Sequence, residues 1–139
     1  MDKDVIYSKV ESLRVCVGRI RQKKPATFDL FVENYDLQDI VCLNLERAVQ
    51  VCVDIAAHII VELDVSAPVT MGESFCKLRE AGFIDEEICL RMQKSVGFRN
   101  IAVHTYQAID WRVVYRIITE HLEDFSVFAR QIIDRVENI

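Results

Sequence analysis

The sequence predicts an all-α chain, an antiparallel bundle of about five helices in one domain spanning residues 1–139. Three observations predict it. Apolar residues recur at three- and four-residue steps along most of the chain, as one face of a helix requires. Only four glycines and two prolines punctuate 139 residues, too few for the turns of a β-sandwich. Apolar residues make up 51% of the chain, enough at this length to bury a core without disulfide or metal staples.

The first helix is predicted from Asp4 to Lys24, with Ile6, Val10, Leu13, Val17 and Ile20 on one stripe and Pro25 ending it. A connector, Ala26 to Tyr35, follows, with Phe28, Leu30 and Phe31 expected against the core. The second helix is predicted from Asp36 to Asp64. Its apolar residues, among them Leu37, Val41, Leu45, Ala48, Cys52, Ile55 and Ile59, cover more than one face, as in a central or interface helix. Asp39, Glu46, Asp54 and His58 are its polar exceptions. A short third helix, Gly72 to Glu80, ends at Ala81-Gly82, a glycine C-cap. Asp85 is an N-cap for the fourth, with Glu86 and Glu87 in the first turn, where the helix dipole favours acids. Gly97 is expected to interrupt this helix, with the chain staying mostly helical to about Ala108. Asp110 then caps a last helix, Trp111 to Val136, striped by Val114, Ile118, Leu122, Phe125, Ala129, Ile132 and Val136.

Net charge is -5, the wrong overall sign for binding phosphate, but it is uneven. Lys9, Arg14, Arg19, Arg21, Lys23 and Lys24 face a single acid, Glu11, over their stretch. They read either as solvated residues of an amphipathic helix or, with Arg91 and Lys94, as a local basic patch for RNA. Cys16, Cys42, Cys52, Cys76 and Cys89 are odd in number and lack CxxC spacing. They read as buried thiols of a reducing cytoplasm, not as disulfides or zinc ligands. No apolar run reaches membrane-spanning length and the N-terminus does not open as a signal peptide, so a cytoplasmic protein is expected.

Among the three histidines, His121 reads as a surface or packing residue. His58 lies one turn after Asp54, where a carboxylate can bond its ring. Glu46, Asp54 and His58 read as a polar cluster of a site wall or interface rather than a metal centre. His104 stands out for its neighbours, with Arg99 five residues before it and Tyr106 two after. An imidazole can take the proton of a ribose 2′-hydroxyl or give one to the leaving oxygen. A guanidinium can grip phosphoryl oxygens and stabilise charge as it develops. On a regular helix a five-residue step turns by about 140°, so Arg99 and His104 would point apart, whereas Arg99 and Tyr106 would share a face. Either Gly97 and Phe98 mark a departure from regular helix, or a second chain in a two-fold dimer completes the site.

The segment Val96-Gly97-Phe98-Arg99-Asn100-Ile101-Ala102-Val103-His104-Thr105-Tyr106 resembles the Arg-x4-His-x-Tyr motif of HepT-type HEPN proteins. Leu37-Gln38-Asp39, Leu43-Asn44-Leu45-Glu46-Arg47, Asp54-Ile55-Ala56-Ala57-His58 and His121-Leu122-Glu123-Asp124-Phe125 are similar to further blocks of that family. The resemblance implies a HEPN helical bundle acting as a homodimeric, metal-independent endoribonuclease toxin without a cofactor. It implies Arg99 and His104 as catalytic, with Asn100, Glu46, Asp54 and His58 in support. It also implies a nucleotidyltransferase-fold antitoxin that adenylylates Tyr106. The partners implied are thus RNA, tRNA among the candidates, and the antitoxin, with neither DNA nor membrane. The alternative within the family is a non-catalytic companion that presents substrate to a minimal nucleotidyltransferase.

Overall fold

In the computed structural model, which describes residues 1–139, every regular element is helical and no strand forms. Helix α1 spans Lys3–Lys23, α2 Phe28–Val32, α3 Tyr35–Ile60, α4 Met71–Glu80 and α5 Glu86–His104. A 3-10 turn, Tyr106–Ala108, leads to α6, Trp111–Arg116. A π-helical turn, Ile117–His121, joins α6 to α7, Glu123–Glu137. The count exceeds five for two reasons: the predicted connector contains α2, and the π turn divides the last helix.

Side-chain caps set most helix starts. Asp2, Thr27, Asn34, Thr70, Asp85 and Asp110 each accept a backbone N–H of the first turn that would otherwise lack a partner. At the end of α4, Gly82 takes φ 82°, while its own N–H and that of Phe83 return to the carbonyls of Arg79 and Leu78. An L side chain is disfavoured at that φ, so glycine is required there.

Helix α3 is the axis of the bundle. It carries thirteen buried residues and packs on α1, α2, α4 and α5. Ile6, Leu13, Val17 and Ile20 of α1 are buried as the stripe predicts. From the far side, Val114, Ile118, Leu122, Phe125, Ile132 and Val136 close the core, joined by Phe128. The π turn keeps this stripe in phase where its apolar residues stand four apart, since a π turn advances more residues per revolution than an α turn. Within it the Thr119 hydroxyl donates to the Tyr115 carbonyl at 2.8 Å.

Several expectations need correction. Helix α3 ends at Ile60 rather than Asp64, with Val61 82% exposed. Phe31 is fully buried, but Leu30 beside it is 56% exposed, because α2 turns only one face inward. Gly97 does not interrupt α5, which runs unbroken to His104. A Cβ built on Gly97 meets nothing within 4 Å. Gly97→Ala is therefore expected to stabilise the chain by about 0.5–1 kcal/mol, read as a higher urea midpoint. A lower midpoint would mean that another surface approaches the helix there.

All five cysteines are free. Burial pushes the Cys42 thiol up to about 12 and that of Cys89 to about 11, so both stay protonated at neutral pH. No helix is long and apolar enough to cross a membrane.

Candidate functional site

The polar exceptions of α3 form the wall of the site. Asp39, Glu46, Gln50 and Asp54 fall within roughly 80° of one another around the helix axis. Helix α5 packs against α3 and delivers Arg99 to this stripe. The Arg99 guanidinium donates to Gln50 Oε1 at 3.1 Å and to Asn100 Oδ1 at 3.3 Å. Gln50 in turn donates from Nε2 to Asp54 Oδ1 at 2.9 Å. The carboxylate thus fixes which way the Gln50 amide faces, leaving its oxygen for the arginine. Burial pushes the Glu46 carboxyl up, and the positive charge of Arg99 partly offsets this.

After His104 the chain leaves the helix at Thr105, whose N–H still reaches the Ile101 carbonyl at 2.8 Å. The following 3-10 turn brings Tyr106 back over α3. Its hydroxyl donates to Asp39 Oδ1 at 2.8 Å, and its ring meets that of Trp111 edge-on at 6.0 Å. Arg99 and Tyr106 therefore reach the same α3 stripe, as their spacing predicts, although the α-helix ends between them. Burial, then the bond to Asp39, pushes the Tyr106 hydroxyl up to about 12.

His104 does not join this constellation. It is exposed and its ring makes no hydrogen bond within the chain. Because α5 is regular from Glu86 to His104, the five-residue step turns it about 140° from Arg99. The first of the two alternatives left by the sequence, a local departure at Gly97 and Phe98, does not occur.

The expected support residues divide. Asn100 and Asp54 touch Arg99 directly or through Gln50. Asp54 is not bonded to His58, whose Nε2 is buried without a partner; Asp54 accepts instead from Gln50, one turn before it. Sequence reasoning missed Gln50 as the partner of Arg99 and Asp39 as the partner of Tyr106. Their signal was the four- and seven-residue spacing of polar residues along an otherwise apolar helix.

The basic residues of α1 do not gather at this site. Arg14 is paired with Glu11 and Arg21 with Glu123. Arg91 is held by Glu87 and Asp124, with His121 Nδ1 also 3.3 Å away. Lys94 and Arg116 line a groove of about 620 Å³ between α5 and the α6–α7 segment, floored by Phe98, Ile117 and Phe125.

Comparison with known proteins identifies the family. The family described as ribonuclease HepT-like matches residues 13–132. The mRNA nuclease HepT of Shewanella oneidensis is 36% identical over 125 residues, 90% of this chain and 93% of that protein. The tRNA nuclease HepT of Aphanizomenon flos-aquae is 25% identical over 128 residues, 92% of this chain and 87% of its own length. A solved structure of tri-AMPylated Shewanella oneidensis HEPN toxin in complex with MNT antitoxin superposes with a TM-score of 0.88 at 35% identity. That likeness covers 96% of this chain and 99% of the other. With a family match over most of its length and a relative above one-third identity, this chain belongs to the HepT-like ribonuclease family.

Proposed function

We propose that this chain is the ribonuclease toxin of a toxin–antitoxin pair, and that it cuts RNA as a homodimer through Arg99 and His104 without a metal ion. The nucleotidyltransferase antitoxin silences it by adenylylating Tyr106. The observation that carries this reading is the placement of Arg99, His104 and Tyr106 at one end of α5 in a chain of this family. His104 takes the 2′-hydroxyl proton of a ribose, and that oxygen attacks the adjacent phosphorus, breaking its bond to the 5′-oxygen of the next nucleotide. A 2′,3′-cyclic phosphate forms, and the 5′-oxygen leaves as a hydroxyl after taking up a proton. Arg99, aimed by Gln50, holds the phosphoryl oxygens as charge grows on them. One chain presents these two groups on faces about 140° apart, so a two-fold pairing of α5 segments supplies the convergence. AMP on Tyr106 adds bulk and negative charge along the α3 stripe that Arg99 also reaches, crowding the cleft and repelling the RNA backbone.

The test is incubation of purified protein with total cellular RNA in the presence of a chelator, beside the His104→Ala variant. Cleavage by the wild type alone is expected. Stable association with the nucleotidyltransferase and no cleavage by either protein would favour the non-catalytic companion.

A further inference from the structure

A tyrosine that accepts a nucleotidyl group must lose its proton as its oxygen attacks. We propose that Asp39 is the general base of that step, taking the phenolic proton as Tyr106 oxygen attacks the α-phosphorus of a nucleoside triphosphate. The proposal rests on Tyr106 being the acceptor.

The geometry supplies the base and leaves the nucleophile open. The hydroxyl donates its proton to Asp39 Oδ1 at 2.8 Å across 67 residues of sequence, so the pair is made by the fold rather than by local chain geometry. A hydroxyl that spends its proton on a carboxylate keeps its lone pairs for attack. Tyr106 remains 43% exposed, and the edge-on contact with Trp111 fixes its ring. Beside it lies a cavity of about 360 Å³ walled by Tyr35, Gln38, Tyr106 and Trp111, through which a triphosphate held by the antitoxin can approach. Asp39 is paired with no lysine or arginine, so no cation competes for its oxygens.

The groups around the phenol favour its neutral form. From α3, Asp39, Cys42 and Glu46 act on the hydroxyl, and with burial they push it up to about 12. Tyr35 lines the cavity and α6 contributes the Trp111 ring. Tyr106 therefore meets the nucleotide with its proton in place, and an acceptor within hydrogen-bond distance is what the attack needs.

The tyrosine O–P bond forms and the bond from the α-phosphorus to the bridging oxygen breaks. Pyrophosphate leaves, and the phenolic proton moves to Asp39, which returns it to water. This base belongs to the protein being modified.

The test measures single-turnover incorporation of the first AMP from ATP by intact mass, with saturating nucleotidyltransferase, from about pH 7 to 9. Asp39→Asn is expected to slow the first transfer at neutral pH by about 100-fold or more, the usual scale for loss of a general base. Hydroxide replaces the missing base as pH rises, so the deficit should narrow, and Asp39→Glu should restore most of the rate. An unchanged rate in Asp39→Asn overturns the proposal. So does a deficit that stays constant with pH and is not rescued by glutamate, which marks a structural role. Tyr106→Phe separates the two claims: AMP incorporation in that variant would overturn the acceptor assignment itself.

Discussion

His104→Ala is expected to lower RNA cleavage by about 100- to 10,000-fold, the range for removing a general acid or base. Stability should hardly change. His104 is exposed at the end of α5 and its ring bonds nothing in its own chain, and substitutions at such positions usually stay within about 0.5 kcal/mol. Arg99→Ala is expected to cost activity on a comparable scale, about 100- to 1,000-fold, but with a different signature. Arg99 is half-buried and bonded to Gln50, so its loss also leaves the Gln50 amide oxygen without its donor. A rate assay paired with urea unfolding distinguishes the two variants. Full activity in both would remove Arg99 and His104 from the catalytic site.

Phe31→Ala is expected to cost about 3–5 kcal/mol, the largest loss of stability from any single change considered. Phe31 is fully buried, meets Trp111 edge-on at 5.8 Å and lies 6.0 Å from the Tyr115 ring. Its carbonyl also accepts from Gln38 Nε2 at 3.2 Å, tying α2 to the start of α3. Removing the ring opens a cavity under Trp111, the residue that steadies Tyr106. The expected reading is a much lower urea midpoint with an unchanged slope. A loss below about 1 kcal/mol would show that α2 is not part of the cooperative core.

The helices were legible because their signals are local. The stripe of Ile6, Leu13, Val17 and Ile20 and the caps Asp85 and Asp110 each act within a few residues of themselves. The π turn at Ile117–His121 was not legible, since its four-residue apolar spacing also fits an ordinary α-helix. Gly97 was misread because glycine weakens a helix without having to break it when neighbouring turns are strong. In the site, the motif residues stood out by type and spacing. Their partners Gln50 and Asp39 did not, being 49 and 67 residues away and placed only by the packing of α5 on α3. The absent Asp54–His58 bond shows a local limit: one-turn spacing on α3 permits both a Gln50–Asp54 and an Asp54–His58 pair, and only the first forms.

In the proposed mechanism no single chain assembles the active cleft, because a regular α5 turns Arg99 and His104 apart. The direct test mixes the two inactive variants. Arg99→Ala and His104→Ala proteins are unfolded and refolded together so that mixed dimers form, and RNA cleavage is measured. A site shared across the two-fold axis predicts that the mixture recovers about a quarter of wild-type activity: half the dimers are mixed, and each of these has one intact site. If mixed dimers form and the mixture stays as inactive as either variant alone, each chain carries its own complete site and the shared cleft does not exist.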